Sequence, residues 1–307
     1  MTNVEIVNNM DVIYFDFENY EIKDVKEGKG VQIEYNYNRG TKRITKRRTK
    51  MAVNRIANNP MIIGRNMEEL SEYLSLIGEC QYVFRKGVGY VGEVYMLKYG
   101  GKHKDKYTFF LFEKQNKRLK ESYRSLELEE KELEFIYPLV RAPDLTNKGF
   151  VWSKHYIIFP YYPNSKEPIS EEEFERIAPN LYKHLFRHKD KIQKQSSYND
   201  RIQKRKEFYS LIRVGEYTYG KHFVALRDNT RINACYVGLI DTDWGIKKQP
   251  IFDGHVSYVR VSSKKEAKYI VDILRNPKVE ELINILHDNR SISLRLPIKI
   301  AKLGSGG

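Results

Sequence analysis

Cysteine is scarce: only Cys80 and Cys235 occur in 307 residues. Two thiols cannot build a disulfide framework or a four-cysteine zinc site. Neither stands beside a histidine in a pattern that marks a thiol nucleophile. No apolar run approaches the ~18 residues that a transmembrane helix needs. The opening "MTNVEIVNNMDVIYFDF" is acidic and polar, where a signal peptide is basic and then apolar. The chain is therefore expected to be soluble and cytoplasmic, with no membrane partner. Its last residues, 302–307, read as a linker or tag-like tail.

Phosphate-binding loops are missing too. "RKGVGYVG" at 85–92 and "KEGKGV" at 26–31 have glycines, but neither the dinucleotide spacing nor the Gly-Lys-Ser/Thr ending. Glycine as a bend between strands explains them. His184 and His188 are four apart on an expected helix, yet Leu185 stands where a zinc hydrolase has its glutamate, so they read as surface or interface histidines. Asp16 with "EIK" at 21–23, and "DTDWGIK" at 241–247, imitate a nuclease metal site. Charged turns account for both equally well.

What is present in quantity is positive charge and tyrosine. Fifty-four Lys and Arg against 40 Asp and Glu leave +14, a balance that favours a polyanionic partner. Tyrosine occurs 23 times and tryptophan twice. The basic residues cluster. "RGTKRITKRRTKMAVNR", 39–55, holds eight Lys or Arg and no acid, and reads as an arm lying along phosphates through Arg43, Lys46, Arg47 and Arg48. A second cluster, 183–206, includes Lys194, Arg201, Lys204 and Arg205.

Periodicity outlines the elements. Residues 11–22 read as a strand. "MEELSEYLSLIG" puts Met67, Leu70, Leu74 and Ile77 at helical spacing, giving a helix at 67–77. Short strands bent at glycines follow over 80–100. Next come a strand at "TFFLFEKQ", a charged helix over roughly 118–134 and a strand at "HYIIFPYYP". Ser170 with Glu173, and Ser263 with Glu266, are capping boxes. They open helical regions at 170–206 and 263–288. Pro179 restarts the first, with Leu181, Leu185 and Ile192 on one face; Ala267, Ile270, Val271 and Leu274 face inward in the second. Strands in the middle with segregated helices predict an α+β class with a mixed, mainly antiparallel sheet.

"FYSLIRVGEYTYGKHFVALR", 208–227, reads as a strand pair. Even positions Phe208, Ile212, Val214, Val224 and Leu226 suit a core. Odd positions Tyr209, Arg213, Tyr217, Tyr219 and Lys221 suit an exposed face, and Arg227 ends the stretch.

Six segments in order carry a resemblance. They are "YLSLIGECQYVFRKGVGYVGEVYML", "LEFIYPLVRAPDL", "HYIIFPYY", the 208–227 stretch, "EAKYIVDILRNPKVEELI" and "SLRLPI". Together the order resembles the target recognition domain of adenine-N6 DNA methyltransferases, above all the C-terminal specificity domain of type IIG restriction–modification enzymes. The resemblance covers about residues 67–300. It implies a DNA target recognition domain at 61–301, preceded by an N-terminal strand and basic arm at 1–60. It also implies sequence-specific binding of double-stranded DNA, with Arg85, Lys86, Gly87, Arg141 and Asp144 at the DNA side and Arg213, Tyr217, Tyr219, Lys221 and Arg227 close by.

The departures from the family are as informative. The chain has no Asn/Asp/Ser-Pro-Pro-Tyr/Phe motif and no glycine-rich cofactor motif. No catalytic centre and no cofactor are therefore expected in this chain. S-adenosylmethionine, and as an open alternative magnesium, would belong to a methyltransferase catalytic domain or subunit acting with it. Two other readings remain at this point: a stand-alone restriction-type nuclease with a divergent metal site, and an RNA-binding protein stacking bases on tyrosines.

Overall fold

The structure is a computed structural model. It describes the strand backbone at 32–38, 43–49, 52–54 and 62–64, and residues 72–73, 75–111, 125–194, 207–227, 233–285 and 298–303. The expected strand at 11–22, the helix start at 67–71 and the basic residues Arg201, Lys204 and Arg205 lie outside the described residues. The chain divides into two compact units. One comprises Met1–Gln81, Asn276–Asn289 and Leu296–Lys302; the other comprises Tyr82–Arg275, Arg290–Arg295 and Leu303–Gly307. The division at Gln81 differs from the expected boundary at residue 60. It also returns the helix Pro277–Ile285 to the first unit.

In the first unit, β1 (Gln32–Asn38) and β2 (Arg43–Thr49) form an antiparallel pair with Glu34 opposite Arg47 and Ile33 opposite Arg48. β3 (Ala52–Asn54) pairs with β4 (Ile62–Gly64). Within the basic 39–55 segment, 43–49 and 52–54 are thus strand. Residues 72–73 and 75–76 are helical, but Ile77 leaves the helix to bridge Ile298.

The second unit contains β5 (Arg85–Lys86), β6 (Met96–His103), β7 (Lys106–Leu111), β8 (Ser125–Glu129) and β9 (Ile136–Val140). These are followed by β10 (Leu145–Thr146), β11 (Gly149–Phe150), β12 (His155–Ile158), β13 (His222–Arg227) and β14 (Cys235–Val237). β15 (Ile240–Asp241), β16 (Lys247–Lys248), β17 (Ile251–Phe252) and β18 (Val256–Val261) complete it. A six-stranded sheet has the order β17-β9-β12-β6-β7-β8 and is antiparallel except for β17 against β9. A four-stranded antiparallel sheet has the order β14-β13-β18-β5. With the helices, this is the expected α+β class.

Local sequence explains most of the helices. The Ser170 hydroxyl accepts from Glu173 N–H to start Glu171–Ile177, and Ser263 does the same from Glu266 for Lys264–Leu274. Pro179 opens Pro179–Arg187, which buries Leu181 and Leu185; Ile192 is buried on the next short helix, Lys189–Gln193. The N-terminus of Pro179–Arg187 is closed from outside by Glu132. This fully buried carboxylate accepts from the Asn180 and Leu181 N–H groups and from the Asn180 amide. A negative group is favoured there by both hydrogen bonding and the helix dipole.

Two expectations change. The charged helix over 118–134 is, where described, the strand β8 followed by a 3₁₀ turn, Glu130–Phe135. Leu126 and Leu128 alternate with polar neighbours, which suits an edge strand beside β7 better than a helix. Within 80–100, Gly92–Tyr95 forms a helical turn where only strands were expected, because Val94 and Tyr95 turn inward together.

Candidate nucleic-acid interface

The stretch 208–227 is not a strand pair. Only His222–Arg227 is strand, and the rest is irregular apart from a 3₁₀ turn at Glu216–Thr218. Buried irregular backbone must find partners for its N–H and C=O groups outside a ladder. Here tyrosines from distant segments supply several of them. The Tyr95 hydroxyl donates to the Tyr209 carbonyl at 3.0 Å, and the Tyr161 hydroxyl accepts from Leu211 N–H at 2.7 Å. Tyr209 in turn donates to the Ile169 carbonyl at 2.7 Å. Much of the tyrosine excess is therefore internal scaffolding.

This corrects the parity reading. The even residues Phe208, Ile212, Val214, Val224 and Leu226 are buried as expected. The odd residues split. Tyr209 and Tyr219 are buried as well, and the Tyr219 hydroxyl donates to the Ser165 carbonyl. Tyr219, expected at the DNA face, is a framework residue because its ring packs on Phe159 inside the core. Arg213 and Tyr217 are half-buried and Lys221 is exposed.

Around Gly87 the predicted residues come together. Lys86 and Arg85 in β5 sit opposite Ser257 and Tyr258 at the sheet edge. The chain then threads between two other segments. Gly87 N–H donates to the Val256 carbonyl at 2.8 Å and Val88 N–H to the Phe252 carbonyl at 2.8 Å. Gly89 and Ile212 exchange both backbone bonds at 3.0 Å. A Cβ at Gly87 would lie 2.2 Å from the Phe252 and Asp253 carbonyl oxygens, so only glycine fits this close approach.

Arg213 faces that loop. Its φ of 63° is left-handed, a conformation that is strained for an L-residue with a side chain. Its guanidinium donates to the Gly87 carbonyl at 3.3 Å, while the Tyr217 hydroxyl donates to the Arg213 carbonyl at 2.9 Å. The Arg85 guanidinium lies 5.6 Å from the Tyr217 ring centre, in cation–π range. Burial, and then the nearby Arg213 charge, hold the Lys86 ammonium below its ordinary pKa. Cations repelling one another at a half-buried edge would gain from an anionic partner.

Arg141 joins from β9. Asp253 N–H donates to the Val140 carbonyl, so Arg141 follows directly beside the turn that holds Gly87. Its guanidinium lies 3.3 Å from His155 Nε2. Burial, Arg141 and Lys98 push His155 down to about 4, so the ring is neutral near pH 7. Nε2 then accepts from Arg141, and Nδ1–H faces the Ser153 hydroxyl at 2.8 Å. Asp144 has an inward role. It is 2% exposed and accepts from Arg141 N–H at 2.8 Å, which fixes the turn that presents Arg141. Burial raises its carboxyl pKa. Asp253 lies in the adjoining turn and accepts from the Tyr90 hydroxyl at 2.7 Å and from His255 N–H.

The remaining expected residues are elsewhere. Arg227 ends β13 opposite Val256, at the Gly87 end of the sheet. Lys221 stands at the opposite end of β13, a strand of six residues, or about 20 Å. It is not part of the Arg213 group. Lys194 is exposed at the end of Lys189–Gln193. Arg43, Lys46, Arg47 and Arg48 all fall on β2 in the other unit.

Of the two histidines expected at a surface or interface, His184 is buried and His188 half-buried. His184 is buried with Nε2–H donating to the Val94 carbonyl at 2.8 Å, and His188 Nδ1 bonds the His184 carbonyl. Among the described residues no cluster of three or more His, Cys, Asp or Glu could hold a metal ion. Among them, too, no helix is long and apolar enough to cross a membrane. Sequence reasoning missed Asp253, Tyr90 and His155, which support the cluster through contacts far apart in the chain.

No protein-family model matches the chain, and no curated protein matches it either.

Proposed function

We propose that this chain binds double-stranded DNA in a sequence-specific way, as the target recognition part of an adenine-N6 methyltransferase restriction–modification system in the cytoplasm. One observation carries the reading: Arg85, Lys86 and Arg213, from segments up to 128 residues apart, meet with Tyr217 around one glycine loop, and Arg141 follows the strand end paired beside that loop. A group of guanidinium and ammonium donors at a sheet edge, Arg85 exposed and Lys86, Arg141 and Arg213 half-buried, suits phosphate and base-edge contact, with Arg able to bind guanine in bidentate fashion. The basic residues of β2 add electrostatic grip without sequence information. Methyl transfer and its S-adenosylmethionine belong, in this reading, to a separate catalytic domain or subunit.

The test uses the purified chain. It should retard a duplex containing the preferred site, selected from a random pool, and transfer no methyl group from S-adenosylmethionine. Enrichment of no sequence from the pool would remove the specificity reading, and methylation by the pure chain would reveal a catalytic centre of its own.

A further inference from the structure

Arg141 is tied to the protein at both its ends. Among the described residues its guanidinium makes one hydrogen bond, to His155 Nε2 at 3.3 Å. A guanidinium only donates, so Nε2 is the acceptor and the ring proton sits on Nδ1. Nδ1 lies 2.8 Å from the Ser153 hydroxyl oxygen, which receives that proton. The Ser153 hydroxyl donates in turn to the Asp144 carboxylate. Asp144, 2% exposed, also accepts from Arg141 N–H at 2.8 Å. Two paths thus leave Arg141, one from its backbone and one from its side chain, and both end on the same buried carboxylate.

The surroundings keep the ring an acceptor. Lys98 stands opposite His155 on β6, while Arg141 reaches it from the end of β9. Burial, then Arg141 and Lys98, push His155 down to about 4, so Nε2 carries no proton near neutral pH. Arg141 also acts on the Gly87 loop. Burial and Asp253 raise the Tyr90 hydroxyl pKa, and the Arg141 charge opposes them. A guanidinium can neutralise a phosphate from many rotamers, whereas a base edge needs its planar fork in one.

We infer that His155 is the positioning residue for Arg141: backed by Ser153 and Asp144, it takes one N–H, sets the plane of the guanidinium and leaves the rest of the fork for a base edge. This deepens the proposed function and rests on it for the ligand. The hydrogen-bond circuit itself does not depend on DNA. A purely structural histidine would cost stability and every kind of binding alike. A positioning one costs site preference, and only while Arg141 is present.

The experiment is a double-mutant cycle on the full chain, read as the affinity ratio of the pool-selected duplex to random duplex. His155→Phe keeps a flat ring without the acceptor and should lower that ratio about tenfold, with little change on random duplex. His155→Gln returns an acceptor at the reach of Nε2 and should hold the ratio within about threefold of the native chain. In an Arg141→Ala background, His155→Phe should lower the ratio no further. Heteronuclear NMR of the free, nitrogen-labelled chain reads the tautomer without DNA, with His155 assigned by its loss in His155→Gln; Nδ1 should be protonated and Nε2 bare. An unchanged ratio in His155→Phe, a His155→Gln as poor as His155→Phe, a loss that persists without Arg141, or a ring protonated at Nε2 overturns the inference. A chain that holds no duplex sinks the DNA reading, and the tautomer then decides this inference alone.

Discussion

Positive charge is built into this chain in two ways. On β2 it is contiguous, with Arg43, Lys46, Arg47 and Arg48 within one seven-residue strand. Around Gly87 it is assembled, since Arg85 and Lys86, Arg141 and Arg213 arrive from separate segments and are held by backbone bonds, a cation–π contact and, for Arg141, His155 and Asp144. Contiguous charge needs no fold to attract phosphate. Assembled charge has a fixed shape, and a fixed arrangement of donors is what base-edge discrimination requires. If the chain binds duplex DNA as proposed, the difference predicts grip from one region and reading from the other.

The largest effect should be on total affinity. If six or more phosphates are neutralised, duplex binding should fall roughly 10³-fold or more between 50 and 200 mM salt, measured by filter binding or anisotropy. A flat response would deprive both regions of a phosphate role.

Acid should separate the two regions next. His184 and His155 are both pushed down to about 4, chiefly by burial. An unfolded histidine titrates near 6.5, so the unfolded chain takes up these protons first. The stability contributed by the neutral rings is complete above about pH 6.5 and is lost as pH falls toward 4. Each could cost up to about 3 kcal/mol. Chemical unfolding followed across this range should show the loss, and His184→Gln, which can still donate but cannot titrate there, should remove about half of it. Arginine and lysine at their ordinary pKa values stay charged across this window. Pool selectivity should therefore decay with acid before nonspecific retention does. An acid-independent melt would mean that the rings are charged or solvated in the native state.

How much of this was legible beforehand depends on the range of the interaction that creates each feature. Ser170, Ser263 and Pro179 announce helix starts because capping is settled within three or four residues. The α+β class followed from the order of such local patterns. Glu132 capping a helix 48 residues later, and Tyr95 bonding a carbonyl 114 residues away, leave no local trace. The tyrosine count misleads for the same reason: composition counts rings and says nothing about which carbonyls need a hydroxyl. Arg85, Lys86, Gly87, Arg141 and Arg213 were named from the sequence, but their meeting was not visible there. Lys221 was grouped with Arg213 by parity, which fails once the chain between them is not a strand.

Arg213 allows a test in which stability and binding move in opposite directions. Its left-handed backbone is strained by about 1–2 kcal/mol for a residue with a Cβ. Glycine removes that strain, at the cost of a more flexible unfolded chain and one long hydrogen bond to Gly87. Arg213→Gly should therefore leave stability unchanged or raise it by up to about 1 kcal/mol. If the guanidinium reads a base, affinity for the preferred site should still fall by on the order of 1–3 kcal/mol, with little change on random duplex. Parallel loss of stability and of all binding would make Arg213 a structural clamp on the Gly87 loop.

The smallest effects sit on β2, and they test whether its order matters. Neighbouring positions on a strand face opposite ways, so Lys46 and Arg48 share one parity while Arg43 and Arg47 share the other. An irregular arm would let all four reach phosphates, and each alanine substitution would lower the salt slope by about one unit. A strand lying along DNA presents one parity at a time. The double variant of one pair should then lower the slope by about two units, equally on every duplex, and the other should leave it nearly unchanged. Equal slopes for the two double variants would favour the arm over the strand, and a sequence-dependent loss from either would undo the division between grip and reading.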